Sequence, residues 1–373
     1  MSDCPLKEGL CADRMHGVRA AWRSASWSVR AVRMFGLVAG CCSLFFANFS
    51  AHGADLPVLR VGVLQYGTVS WELEVMRAEG LDRKHGFVLE VLPLALNDAA
   101  NVAIQGGAVE IIVNDWIWVS RQRHEGRDFV FAPYSLAVGG VMVRPDSGVN
   151  GLADLRGKKL GIAGGAVDKS WLLLRAYARR TVGTDAARWV RPEFAAPPLL
   201  NELMLTGELP AVLNFWHFNA RLLGAGMQPL LSLDEILREL GVTDPLPMIG
   251  WVFREAWARD NADAIAGFLR ASSEAKRRLL VDDTHWEHLR PMMRVPDDAT
   301  WRALRDGFRA GVPDGLDAER ARLAAERVFA ILAEEGGRAL VGRATTLAPG
   351  TFWNGKEGGK ETGKGNGNGG AER

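Results

Sequence analysis

An acidic residue and an aromatic residue stand where a buried strand should end in this sequence. Residues 111–113 form a short apolar run, and Asp115 and Trp116 follow it almost directly. A carboxylate binds cationic and hydrogen-bonding groups, and a tryptophan face stacks on flat rings or receives a cation. Residue types of this kind at a strand end are either part of the core or line the mouth of a small-molecule cleft, and the rest of the sequence favours the cleft.

Tryptophan content favours an organic ligand. The chain has thirteen tryptophans, and eleven of them follow Ala54. Several fall at strand ends, which favours a planar solute such as a nitrogen heterocycle or an amine. The alternative is a sulfonate or another oxyanion, bound by backbone N–H groups at helix starts near Ser70 and at residues 165–170 with Lys169. Asp115 and Glu72 argue against a purely anionic pocket.

Strands and helices alternate along the chain at a spacing typical of parallel sheets covered by helices. A first unit has strands at residues 58–64, 87–94 and 111–114, with helices between them. A second, weakly similar unit has strands at 158–165 and 210–215. The remaining sequence from 261 to about 336 is predicted to be mainly helical.

Several segments of this order resemble the periplasmic solute-binding proteins of ABC importers, in the nitrate/sulfonate/taurine and thiamine-precursor family. The resemblance rests on the opening strand, helix and turn at 59–94 and on GGAVEIIVND at 106–115. Its most specific part is GLADLRGKKLGIAGG at 151–165, which fits the pattern L-x-D-L-x-G-K-x-hydrophobic-G. The segment 205–226 is also similar, although Pro210 stands where the family commonly has an acid.

The resemblance implies an α/β fold with two lobes, the periplasmic binding protein fold of type II, each lobe a mostly parallel sheet flanked by helices. Lobe 1 would comprise residues 56–140 and a return segment with C-terminal helices at 246–350, and lobe 2 residues 141–245. The implied activity is that of the solute-binding component of an ABC import system, which closes on a solute and delivers it to a membrane permease and its ATPase. The family expectation is a periplasmic monomer without cofactor or metal.

Strand ends and helix starts face the ligand in this fold, which defines the candidate binding residues. The candidate Asp115 has a structural alternative as a helix cap. Among its neighbours in the fold, Asp168 is most simply a helix cap, and Trp118 and Trp171 are expected to be core residues. Trp118 lies about 200° around a helix from Trp116, so we expect Trp116 at the cleft and Trp118 in the core. The candidates are Tyr66, Thr68, Ser70, Trp71, Asp115, Trp116, Gly165, Ala166, Lys169, Ser170, Trp216, His217 and Trp251.

Both ends of the chain differ from its middle. Residues 1–54 contain a basic stretch, an apolar run at 34–50 and small residues before Ala54, which is typical of a signal peptide. The alternatives are a lipoprotein with a tether at Cys41, an uncleaved anchor, and a start at Met15. All four cysteines precede Ala54, so the exported chain should contain no disulfide. The polar, glycine-rich segment 354–373 is predicted to be a disordered tail.

Composition and motifs weigh against other functions. A net charge of +1 gives no argument for binding nucleic acid or a charged membrane surface. The main alternative is an enzyme on the same fold, of the thiamine-precursor or menaquinone-pathway type. The exported chain lacks the cysteine cluster of the thiamine-precursor enzymes, and its five histidines show no metal-binding spacing. A regulator's sensing domain would need a helix-turn-helix where the signal peptide is predicted.

Overall fold

A computed structural model describes residues 56–65 and 67–355, which fall within one compact unit, Asp55–Arg373. The predicted signal peptide with its four cysteines, most of the predicted tail, and the candidate Tyr66 lie outside the described residues. No helix in the described part of the chain is both long enough and apolar enough to cross a membrane.

A five-stranded sheet organises lobe 1, with the strand order β2-β1-β3-β10-β4. β10 is antiparallel to both of its neighbours, and β1, β2 and β3 are parallel. Four strands therefore run in one direction and one runs against them. The strands are β1 (Val58–Leu64), β2 (Val88–Leu94), β3 (Ile111–Asp115), β4 (Phe129–Ser135) and β10 (Ile249–Arg254).

A second five-stranded sheet organises lobe 2, with the order β7-β6-β8-β5-β9. β5 is antiparallel to β8 and β9, as β10 is to its neighbours in lobe 1. The two sheets are therefore built on the same plan, and the fold class predicted from the sequence is confirmed. The strands are β5 (Gly139–Val143), β6 (Lys159–Ala163), β7 (Arg191–Ala195), β8 (Ala211–Phe215) and β9 (Gln228–Ser232).

Helices cover both sheets, and four of the described helices begin at the residue directly after a strand. In lobe 1 they are α1 (Val69–Ala78), α2 (Leu81–Lys84), α3 (Asn97–Gln105), α4 (Trp116–His124), α9 (Glu255–Asp260), α10 (Ala262–Val281), α11 (Asp283–Met293) and α12 (Asp298–Ala310). In lobe 2 they are α5 (Lys169–Val182), α6 (Pro197–Leu205), α7 (Trp216–Gly224) and α8 (Leu233–Glu239), with short 3-10 helices at Leu152–Leu155 and Ala186–Arg188. The last helix is α13 (Ala318–Val341).

The chain passes between the lobes twice. The first crossing, residues 136–138, leads from β4 to β5, and the second crossing, residues 240–248, leads from α8 to β10. The C-terminal helices add contacts between the lobes, since α12 packs against α7 and α13 packs against both α4 and α5. A Cβ at Gly224 of α7 would lie 2.6 Å from the Thr300 Cα of α12, so this glycine permits close packing of the two helices.

Three predictions of secondary structure need correction. The first predicted helix is broken at Gly80, whose φ of 62° ends α1 and begins α2. α1 begins at Val69, one residue before Ser70, near which the helix start was predicted. The edge strands β7 and β9 were not predicted, because neither has the alternation of apolar residues that marks a half-buried strand.

Candidate functional site

Each lobe contains a strand–helix junction that is held by its own hydrogen-bonded pair of asparagines. At the end of β3, Asn114 Oδ1 accepts a hydrogen bond from Asp115 N–H at 2.8 Å, and Asn114 Nδ2 donates to Asn101 Oδ1 at 2.6 Å. The asparagine hydrogen bonds fix the backbone at the point where β3 turns into α4. The junction thus holds Asp115 and the first turn of α4 in a defined orientation.

The junction of β8 and α7 repeats this arrangement in lobe 2. Asn214 Oδ1 accepts from Phe215 N–H at 2.9 Å, and Asn214 Nδ2 donates to Asn201 Oδ1 at 2.9 Å. A tryptophan follows each junction asparagine by two positions, Trp116 in one lobe and Trp216 in the other. These asparagines were not among the predicted site residues, although their equal spacing in the two halves of the sequence was a signal for them.

The lobes meet at an ion pair between a strand end and a helix start. Lys169 Nζ, at the start of α5, lies 3.0 Å from Asp115 Oδ2, and the side chains are 31% and 14% exposed. Burial lowers the pKa of Lys169, but the carboxylates of Asp115 and Asp168 outweigh burial, and the pKa is raised overall. Lys169 is therefore charged at neutral pH and connects lobe 2 to lobe 1.

Asp115 and Asp168 both cap helices that begin at this contact. Asp115 Oδ1 accepts from Trp118 N–H at 2.9 Å. Asp168 Oδ1 accepts from the N–H groups of Ser170 and Trp171 at 2.9 and 3.2 Å, so the predicted cap of α5 is confirmed. Burial raises the pKa of Asp168, although Lys169 and the two N–H groups oppose that rise.

Trp116 and Trp118 are placed in the opposite way to the prediction. Trp116 is fully buried in a core cluster, 6.4 Å from Phe352 between ring centroids, whereas Trp118 is only partly buried against Phe129. The reason is that Asp115 is the cap, so Trp116 is the first helical residue and shares the inward face of α4 with Val119. The Trp116 indole N–H has no hydrogen-bond partner within the described residues.

Two further tryptophans predicted at the cleft lie in the interior of lobe 1. Trp251 is 1% exposed, and its indole N–H donates to Ser272 Oγ at 3.1 Å. Trp71 is 5% exposed and packs against Trp286 at 5.9 Å. Trp171, predicted as a core residue, is 2% exposed. Trp251 is buried because β10 is a central strand, and Trp71 is buried because other helices cover α1.

Glu72 also points into lobe 1 and not toward lobe 2. It is fully buried, and its Oε2 lies 2.9 Å from Lys276 Nζ while Ser272 Oγ donates to its Oε1 at 2.5 Å. The Lys276 ammonium also lies 4.0 Å from the Tyr134 ring centroid. Glu72 therefore contributes no charge to the cleft, although the sequence suggested that its carboxylate would face the ligand.

The remaining candidates lie at strand ends and helix starts. Trp216 and His217 are partly buried at the start of α7, and the Trp216 ring meets Trp71 of lobe 1 at 6.3 Å. Burial, with Arg221 nearby, lowers the pKa of His217 to about 4, so its imidazole is neutral at physiological pH. Thr68 is nearly buried before α1, Ser70 and Ser170 are partly buried, and Gly165 and Ala166 are exposed before α5.

A groove of about 710 Å³ lies beside the two crossings and away from the ion pair. Trp216 is the only predicted binding residue in the described part of the chain that lines this groove. We call it the hinge groove. Within the described residues, no group of three or more His, Cys, Asp and Glu side chains is arranged to hold a metal ion.

The two sheets have the same topology, two crossings connect them, and polar strand ends meet between the lobes. This arrangement is the periplasmic binding protein fold. The sulphonate-binding protein SsuA from Escherichia coli is similar at a TM-score of 0.64, with 18% identity over 80% of this chain and 93% of that protein. SsuA from Xanthomonas axonopodis pv. citri, bound to MOPS, is similar at 0.61, with 15% identity over 80% and 99%. The nitrate-binding protein NrtA from Synechocystis PCC 6803 is similar at 0.51, with 12% identity over 67% and 69%.

The chain belongs to the NMT1/THI5-like family, whose model matches residues 83–282, more than half of its length. The resemblance seen in the sequence is thus confirmed in fold and in family. No curated protein sequence matches the chain.

Proposed function

We propose that this protein is the extracytoplasmic solute-binding component of an ABC import system. The observation that carries the proposal is the contact between Asp115 and Lys169, which joins the two lobes at their strand ends. Open α/β sheets bind ligands at this edge. Membership of the NMT1/THI5-like family and similarity to proteins named for binding sulfonates and nitrate support the same role.

Capture would use the two crossings as a hinge. When the lobes separate, the Asp115–Lys169 pair breaks, and both charges become available to a solute. A solute that touches both lobes stabilises the closed state, because it makes both sets of contacts only there. The closed form then docks on a membrane permease, and an ATPase drives transport.

A small organic solute with a planar ring or an amine is favoured over an oxyanion. Two N–H groups in the first turn of α5, those of Ser170 and Trp171, are bonded to Asp168, and one at the start of α4 is bonded to Asp115. An oxyanion would have to compete with these carboxylates for the N–H groups that usually bind it. An amine, in contrast, gains Asp115 as a partner. A sulfonate or another oxyanion held by Lys169 is the alternative.

Ring stacking rests on fewer residues than the sequence indicated, because Trp71, Trp116 and Trp251 are buried in the interior. Trp216 and the neutral imidazole of His217 are the aromatic groups that remain at the strand ends of lobe 2. The binding set proposed on this basis is Thr68, Ser70, Asp115, Gly165, Ala166, Lys169, Ser170, Trp216 and His217.

A thermal-shift screen of the protein without residues 1–54 tests the proposal. The panel contains pyrimidines, aromatic amines, aromatic acids, sulfonates and nitrate. A ligand present at about 100 times its Kd adds about 2.7 kcal/mol of stability and raises Tm by several degrees. We expect ring amines to stabilise the protein and Asp115→Asn to reduce the effect. Stabilisation by oxyanions alone, lost in Lys169→Met, would contradict the ring-amine assignment and support the alternative.

An enzyme on the same fold is the second candidate function, since the family model covers THI5-like proteins. Incubation of the protein with each stabilising compound, followed by mass spectrometry of the recovered compound, separates the two. A binding protein returns the compound unchanged.

We also propose export to the periplasm, by cleavage near Ala54 or with a lipid at Cys41, and a monomeric state. Cell fractionation and analytical ultracentrifugation test these two points.

A further inference from the structure

We propose that the hinge groove is a second ligand site, which takes a small organic cation with an apolar body. The groove is distinct from the Asp115–Lys169 contact, since neither residue lines it. Its volume of about 710 Å³ falls within the range of small-molecule pockets, about 300–1,000 Å³. The proposal does not depend on the transported solute or on import.

Both lobes and both crossings form the walls of the hinge groove. One wall consists of the first crossing and β5. Residues of α7, β9, α8 and the second crossing form the next wall. α12 of lobe 1 closes the remaining side through Ala303, Gly307 and Ala310. Because the walls belong to parts that move relative to each other when a hinge bends, the shape of the groove depends on the hinge angle.

Glycines bring α12 close to the crossing. A Cβ at Gly311 would lie 2.5 Å from the Ala137 Cβ of the first crossing, and a Cβ at Gly307 would lie 3.0 Å from the Trp216 ring. Leu136 N–H also donates to Gly311 O at 2.8 Å. The α12 wall is therefore fixed to the first crossing by direct contact, and a ligand in the groove would touch both.

The lining of the groove predicts the chemistry of its occupant. Its apolar residues include Leu231, Leu237 and Leu246, which suit a hydrophobic body. The charged residues that line it are three acids and one base, so a cation is favoured by charge complementarity. They are Asp234, Asp244, Asp306 and Arg238.

Two acceptors in the groove are available to such a cation. Asp306 accepts from Arg305 at 2.8 Å, whereas Asp244, among the described residues, has no ion-pair partner. Asn219 uses its Nδ2 to donate to Gly140 O at 2.9 Å and Asn214 O at 3.2 Å. Its Oδ1 is buried and accepts no hydrogen bond from any described residue. An ammonium group supplies donors for acceptors of this kind, whereas an anionic ligand would be repelled by the carboxylates.

Isothermal titration calorimetry with benzylamine tests the proposal on the chain that begins at Asp55. Benzyl alcohol and benzoate, at matched ionic strength, are the neutral and anionic counterparts. We expect benzylamine to bind, benzoate not to bind, and Asp244→Asn to weaken benzylamine binding by about tenfold, as loss of a charge-assisted hydrogen bond predicts. Asp263→Asn, which removes an exposed acid at the start of α10, is the matched control and should leave Kd unchanged.

The Asp115→Asn variant separates this site from the cleft between the lobes. Binding of benzylamine that survives Asp115→Asn but not Asp244→Asn supports the hinge groove, whatever the transported solute is. The reverse pattern would place the amine in the cleft and overturn the second site, while it supports the proposed solute class. Equal affinity for benzoate, absence of benzylamine binding at millimolar concentration, or equal effects of Asp244→Asn and Asp263→Asn would also overturn it.

Discussion

Asp115 of lobe 1 and Lys169 of lobe 2 form an ion pair with a distance of 3.0 Å between Oδ2 and Nζ. Each residue also belongs to the start of a helix, Asp115 as the cap of α4 and Lys169 as the first residue of α5. The pair therefore couples two helix starts that belong to different lobes. Loss of either charge should affect both stability and the separation of the lobes.

Substitution of Lys169 by Met should favour open lobes. The pair is partly buried, so we expect the free energy of unfolding to fall by about 1–2 kcal/mol, between the values for exposed and buried pairs. Small-angle X-ray scattering should show a larger radius of gyration, and urea titration gives the stability. Lys159→Met is the matched control, because Lys159 pairs with Glu193 within lobe 2. An equal radius of gyration for the two variants would contradict an inter-lobe role for Lys169.

Trp116 and Trp216 occupy equivalent junctions but should respond differently to substitution by Phe. Trp116 is fully buried, so Trp116→Phe should lower stability by about 1–3 kcal/mol and leave ligand affinity nearly unchanged. Trp216 is partly exposed at the strand ends, so Trp216→Phe should weaken the binding of a ring solute found in the screen. Chemical denaturation and calorimetry measure the two effects. A greater loss of affinity in Trp116→Phe would restore the sequence-based assignment of Trp116 to the cleft.

Removal of Lys276 should destabilise lobe 1 strongly. Glu72 is fully buried and its charge is balanced by Lys276, so Lys276→Met should cost about 3–5 kcal/mol. The double variant Glu72→Leu/Lys276→Met should be more stable than the single variant, because no unpaired charge remains. Urea unfolding of all four proteins in the cycle measures the coupling.

Lys84→Met is the control for this cycle. Lys84 is exposed and pairs with Glu274 at the surface, so its removal should cost about 0–1 kcal/mol. A double variant that is less stable than Lys276→Met would show that Glu72 has other stabilising contacts.

His217 should make the protein less stable in mild acid. Burial holds its folded-state pKa at about 4, below the value of 6.5 for an unperturbed histidine. The unfolded state therefore binds the proton first as pH falls below 6.5, and this contribution to stability, at most about 3 kcal/mol, is lost progressively toward pH 4. Above pH 6.5 the contribution is fully present.

The variant His217→Gln should show a smaller decrease of Tm between pH 7 and pH 4. His288→Gln, which changes an exposed histidine of α11, should retain the wild-type pH dependence. Thermal denaturation followed by circular dichroism at several pH values checks this. Identical profiles for wild type and His217→Gln would contradict the assignment.

Gly139, directly after the first crossing, should not tolerate a side chain. Its φ is 126°, and a Cβ would lie 2.2 Å from Asn214 O. Gly139→Ala should therefore cost more than the about 1–3 kcal/mol of backbone strain alone. Gly148→Ala is the matched control, since Gly148 also has positive φ (64°) but no atom lies within 4 Å of its Cβ position. Equal losses of unfolding free energy would show that strain, and not the contact with β8, sets the cost.

The sequence predicted the fold because apolar strands and amphipathic helices alternate with clear boundaries. β1, β3, β6 and β8 contribute buried apolar residues to the core, and their apolar runs were visible without structural information. The edge strands β7 and β9 were missed, since hydrogen bonding to a neighbouring strand, and not their own composition, makes them strands.

The sequence also contained the repeat of the two strand–helix junctions. Asn101, Asn114 and Trp116 recur at the same spacing as Asn201, Asn214 and Trp216. Local hydrogen bonds between an asparagine at a strand end and one on the preceding helix are fixed by that spacing. The strand-end positions of the candidate residues could therefore be predicted from local patterns.

What only the tertiary structure decided is which strand-end residues meet and which are covered. Residues so far apart along the chain as Asp115 and Lys169 come into contact only through the relative placement of the lobes, which no local pattern encodes. Trp116, Trp251 and Glu72 are buried because helices from the C-terminal part of the chain pack against them. The sequence by itself determined the alternation of strands and helices, because this follows from local hydrophobic periodicity, and its resemblance to a known family implied the two lobes and the ligand-binding edge of each sheet. Packing between distant segments determined the contacts at that edge.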